Sequence, residues 1–199
     1  MGFHGHLLAF RTDDPDDTGS PGTPVLPELP YPDETVACPD GWWLLTTRIA
    51  ALPEDLAVRL AERTGAPALV VRVLHGDWSE VRGCVPGGAG WSFAHNVRLV
   101  VEHEVRERFG CEREDEGLSA AEWQECVDEV TAAWTADRAE ARRHALAWSA
   151  ATGRPADPAV LELALESDEL SAEEAARTLL RALGVPVPGH GRDGRGVSG

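Results

Sequence analysis

The chain contains no lysine; all 18 of its basic residues are arginine. That absence excludes the P-loop phosphate cradle, Schiff-base and pyridoxal chemistry, and every Ser–Lys or Tyr–Lys catalytic pair. Tyrosine is nearly missing too. Tyr31 stands alone between two prolines, a poor setting for a catalyst. The four cysteines (Cys38, Cys84, Cys111, Cys126) are far apart and form no C-x-x-C, so reduced thiols are expected, not a disulfide framework. No run approaches the roughly 18 apolar residues of a membrane span, and no signal-peptide core follows the start, so the reading is a cytoplasmic protein.

Positive charge is scarce. Against 34 acidic residues it leaves a formal net charge of −16 and a pI near 4.7. Duplex nucleic acid and anionic membranes attract proteins through cations, so neither is expected as a partner. A basic protein surface is the natural complement, and opposite charge speeds such an encounter. The surplus of Ala, Arg, Gly, Pro and Trp is what a GC-rich coding sequence produces, but the chemical exclusions hold whatever its origin.

What is present is a chain of 199 residues, 43% apolar, long enough for a real core. Residues 3–11 read as a first strand. Residues 12–40 then carry seven prolines and eight acids with no base, the composition of an extended surface arm whose first half is mobile. Residues 42–49 are apolar, aromatic and β-branched, hence a second strand. Pro53 and Gly65 bracket a helix of about a dozen residues. The unbroken run 69–74 predicts a buried central strand, 78–85 a weaker one and 91–93 a short one leading into a helix.

Ser119 with Glu122 forms a capping box that opens a long helical pattern. Its stripe (Trp123, Val127, Val130, Trp134, Asp137, Ala141, His144, Trp148) can be followed to Thr152. Asp137 and His144 are the odd members, so the helix is expected to leave the core or break near Asp137. Two shorter helices follow, at Asp157-Pro158 and at a second box, Ser171 with Glu174. The stretch 185–199 has too little to bury and reads as a disordered tail.

The expected architecture is α+β. A small mixed sheet of about five strands, in ββαββα order, occupies residues 1–110. A helical region, 118–184, packs on it as part of the same domain.

No motif carries chemistry with force, and no catalytic residue, cofactor or firm metal site is assigned. His4 and His6 share one strand face, a spacing that paired metal ligands use. Gly90-Trp-Ser92-Phe-Ala94 is a loose relative of the nucleophile elbow but lacks the long strand before it. His103-Glu-Val-Arg-Glu107 resembles a zincin helix until glutamate replaces the second histidine, and salt-bridged surface explains it better.

Two functions remain open. The first is an acidic binding or regulatory protein that engages, and neutralises or regulates, a basic partner through Glu112, Glu114, Asp115 and Glu116 with tryptophans Trp42, Trp78 and Trp91 as anchors. The alternative is a small enzyme or ligand-binding domain. Its site would lie at the strand ends around His75, Asp77, Trp78, Ser92 and His95, with metal dependence through histidines as one form of it.

Overall fold

The computed structural model describes residues 4–12, 32–49, 52–74, 76–109, 119–136, 138–166 and 171–188. Its elements are β1 (Gly5–Arg11), β2 (Glu34–Ala37), a 3-10 turn (Pro39–Gly41), β3 (Trp42–Thr47), α1 (Leu56–Thr64), β4 (Ala68–Leu74), β5 (Trp78–Cys84), β6 (Trp91–His95), α2 (Val97–Phe109), α3 (Ala120–Thr135), α4 (Arg138–Ala151), α5 (Pro158–Leu165) and α6 (Ala172–Ala182).

The fold is α+β, with six strands in the order β2-β3-β1-β4-β5-β6. Every pairing is antiparallel, which corrects the expectation of a mixed sheet. The physical reason lies in β1. It inserts between β3 and β4, which run the same way and are joined through α1, so the parallel contact that this crossover would otherwise make never forms. The sixth strand comes from the acidic arm. Glu34–Ala37 pairs with β3 at the sheet edge, and Asp33 clamps its start by accepting the Arg48 amide at 2.6 Å. The mobile first half expected for the arm falls outside the described residues.

Alternation along the strands sorts the core into two layers. One face presents Leu7, Ala9, Leu44, Leu69, Val71, Val73, Val81 and Phe93 to α4, α5 and α6. The other presents Leu8, Phe10, Leu45 and Val70 to α1. Farther along that second face, Leu74, Trp78 and Ala94 meet Val100 of α2.

The long stripe from Trp123 to Trp148 belongs to two helices. α3 ends at Thr135 and α4 starts at Arg138, with Asp137 outside the described residues. The two halves have different partners. Cys126 and Val130 bury against Val101 and Val105 of α2, whereas Ala141, Ala145 and Trp148 bury against the sheet. His144 is a surface residue whose ring faces Glu140 at 3.4 Å.

Caps stand where the sequence puts them. Ser119 and Glu122 exchange both bonds of the capping box, and Asp157 accepts the amides of Ala159 and Val160.

The expected tail is corrected at its start. Gly184 takes φ +87° and reverses the chain, Val185 donates its amide to the Leu180 carbonyl, and Val185 and Val187 both enter the core.

The joint between helices and sheet is Trp148. Its indole N–H donates to the carbonyls of Ala68 and Cys84, 3.0 Å from each, where β4 and β5 pair. Its ring lies 5.9 Å from that of Trp42. Trp148→Phe keeps most of the apolar volume but leaves both carbonyls without this donor, and is expected to cost about 1–3 kcal/mol. Urea denaturation checks this: a lower midpoint at unchanged slope is the expected result, and an unchanged midpoint refutes the role.

Candidate functional site

The residues proposed from sequence do not converge. Trp42, Trp78 and Trp91 are all buried. Trp91 lies against Gly83, where an added Cβ would sit 2.4 Å from its ring. These three are core side chains, so the expectation of exposed docking anchors is corrected for them. Asp77 is exposed in the β4–β5 turn, and its carbonyl accepts from the Asn96 side chain at 3.0 Å. His75, Glu112, Glu114, Asp115 and Glu116 lie outside the described residues.

His95 is buried on the α4–α6 face, while Ser92 and Trp78 project from the other face, so the strand-end cluster does not assemble. The surroundings of His95 fix its protons. Nε2 lies 3.1 Å from the Ala164 carbonyl, an acceptor, so the neutral ring carries its hydrogen there. Nδ1 then accepts from the Ser79 hydroxyl at 3.0 Å. This resembles a catalytic Ser–His pair in connectivity, but Ser79 is fully buried and no substrate reaches it. In α2, His103 pairs with Glu107 at 3.2 Å and its ring packs at a tilt against Trp78, 5.6 Å between centroids. Among the described residues no group of three or more His, Cys, Asp or Glu side chains could hold a metal ion. Cys38 and Cys84 are buried free thiols whose pKa burial raises, which makes them poor nucleophiles.

What does converge is a polar row on the sheet face between α1 and α2. The register sets His6 of β1 opposite Arg72 of β4, and Arg72 opposite Glu80 of β5. Arg82, two residues along β5, shares their face. With Val70 and the 52–54 segment before α1, these four side chains line a cavity of about 200 Å³. Arg82 holds one wall, with Nε and Nη2 both 2.7 Å from the Glu80 carboxylate and Nη1 donating to the Glu54 carbonyl. Arg72 lies over Trp78, 5.9 Å from the ring centroid. Two polar atoms of this row are buried with no partner: His6 Nδ1 and Arg72 Nε.

Sequence reasoning singled out His6 but missed the other three. The available signals were Arg72 interrupting an apolar run and the same-face pair Glu80/Arg82, two apart.

Burial, followed by the nearby Arg72 charge, lowers the His6 pKa to about 4; a hydrogen bond to the Ile49 backbone opposes this, and His4 adds a small further lowering. The folded protein therefore holds a neutral ring at neutral pH. Unfolded, the same side chain titrates near 6.5. As pH falls below 6.5 the unfolded chain takes up a proton that the native one refuses, so stability present above 6.5 is lost down to about pH 4. Between pH 7 and 4.5 this removes about 2–3 kcal/mol. The expected result is a smaller loss of stability over that interval for His6→Gln than for the parent, read from denaturation midpoints; parallel pH profiles would contradict it.

No family model, curated protein or solved structure matches this chain.

Proposed function

We propose that this protein is a cytoplasmic binding module whose docking element is the α2–α3 hairpin and whose partner is a basic, amphipathic protein segment. The observation that carries this reading is an open groove of about 800 Å³ along the hairpin, beside a helix surface that bears only acids. Val97, Val101, Trp123 and Val127 give the groove its apolar lining, the last two only half-buried, and its charged lining is Arg98, Glu102 and Arg138, so the acidic complement comes from the exposed part of α3 outside the groove.

Charge supplies the complement. α2 is balanced, with three acids and three arginines. α3 carries Glu122, Glu125, Asp128 and Glu129 and no base. Glu122 is taken by the capping box and Glu129 faces Arg108 at 3.4 Å. Glu125 is exposed, and Asp128 accepts only from the neutral Gln124 side chain. Both charges are thus available to a cationic partner, Asp128 beside the groove-lining Gln124, while Trp123 is the aromatic contact inside the groove.

The hairpin is well fixed for such a task. Trp134 of α3 donates its indole N–H to Glu104 of α2 at 3.0 Å, and Val101, Val105, Cys126 and Val130 are buried between the helices. Regulation or neutralisation of the partner by occlusion follows naturally from a rigid acidic docking face and requires no catalytic group. No described helix is long and apolar enough to cross a membrane.

The test is an affinity pull-down at low and high salt, with the parent chain, Glu125→Arg/Asp128→Arg and Trp123→Ala. A stoichiometric basic protein is expected, released by high salt and bound about tenfold or more weakly by both variants. Retention that ignores both substitutions overturns the proposal, as does capture of nothing but a second copy of this chain. Circular dichroism melts of the double variant verify folding, since both altered residues are exposed.

A further inference from the structure

Three charges line the hairpin groove, and two of them answer each other. Arg98 and Glu102 stand one turn apart on α2, with 3.9 Å between guanidinium and carboxylate. Arg138, the first residue of α4, has no such partner. Among the described residues no carboxylate lies within ion-pair distance of it. On its α5 side a second hollow is bordered by Glu162, which Arg142 holds at 2.8 Å, and by the exposed Glu166, which makes no ion pair with it.

What Arg138 does contact is an aromatic ring. Its guanidinium carbon lies 5.4 Å from the centroid of Phe93. Phe93 is buried in β6, and its ring meets that of His95 edge to face at 5.2 Å, so the support is fixed while Arg138 itself stays exposed. An aromatic face restrains a guanidinium without neutralising it, so less side-chain freedom is lost when a carboxylate docks there.

The groove follows Ala120, Trp123, Gln124, Val127, Thr131 and Thr135, a straight stripe of α3 about 22 Å long, the shape that an amphipathic helix fills. Resting on the hairpin reading above, we propose that Arg138 is a specificity residue of this groove: the basic segment that docks is a helix that also carries one carboxylate, and that carboxylate pairs with Arg138. The spacing follows from α3. Glu125 and Asp128 precede Thr135, where the α3 lining ends next to Arg138, by about 15 and 10 Å of helix. The docking helix therefore holds its acid two to three turns away from its bases. A uniformly basic helix of the same apolar face sets a cation against Arg138 and binds less well.

The experiment uses the full-length chain and two synthetic helices of about five turns that differ at one position. Both have a leucine face and arginines in the last two turns; one has glutamate two to three turns before the first arginine, the other glutamine. Fluorescence anisotropy of the labelled peptides gives their affinities for the parent chain, Arg138→Gln and Glu125→Arg/Asp128→Arg. The glutamate helix is expected to bind the parent about fivefold more tightly than the glutamine helix. Arg138→Gln should erase that difference, whereas Glu125→Arg/Asp128→Arg should weaken both helices and preserve it. Equal affinities for the parent, or a preference that survives Arg138→Gln, overturn the role of Arg138. If equal affinities still fall in the double variant, the hairpin reading stands without it; if neither helix binds the parent, both fall. Should a variant fail to fold, the comparison of the two helices on the parent chain still decides the proposal.

Discussion

Two carbonyl oxygens and one indole N–H hold this molecule in its shape. The antiparallel ladder leaves Ala68 and Cys84 facing each other where β4 begins and β5 ends, and Trp148 donates to both. Around that bond the α4 seam, α5, α6 and the returning 185–187 segment find their positions on the sheet. A hydrophobic layer alone would allow the helices to slide, because burial is not directional. A buried donor shared between two acceptors allows one placement, and departing from it strands polar groups in the core.

The same alternation that makes the helix-covered face apolar creates its opposite. α1 has nine residues, about 13 Å of helix, whereas six strands span about 24 Å. One short helix cannot roof that width. α2 covers the far part through Leu74, Trp78 and Ala94. Between the two lies the strip where His6, Arg72, Glu80 and Arg82 project, and polar side chains there are what an incompletely covered sheet face can tolerate.

Much of the fold was legible in local chemistry. Strands β1, β3, β4 and β5, the proline–glycine bracket around α1, the Ser119 box and the Asp157 cap all follow from patterns a few residues long. The edge strand Glu34–Ala37 was not, since its neighbours are prolines and acids and only pairing with β3 makes it a strand. The break between α3 and α4 was readable as an interruption of the stripe, but its cause, two helices serving two partners, is tertiary. The tryptophans mark the limit for the site. Composition raises them as contact residues, yet register and Gly83 bury Trp91, and Trp148 covers Trp42. The cavity was illegible for a related reason. Its four side chains come from three strands, and only the pairing register places them in one row.

The charge balance of the whole chain gives that row its meaning. With 34 acids to 18 arginines, a carboxylate is the easiest partner for any arginine to find, and Arg59, Arg82, Arg142, Arg154 and Arg177 each have one. Arg72 faces Trp78, which spreads π-density under the cation without neutralising it. The same indole also contacts His103 of α2, so the hairpin helps hold the ring that supports the guanidinium. Glu80, the nearest carboxylate by register, is withdrawn by two 2.7 Å contacts from Arg82. A cation kept from its neighbouring anion, on an acidic protein, beside a buried imidazole whose Nδ1 lone pair has no donor, is a local polar mismatch of the kind that an incompletely covered sheet face carries.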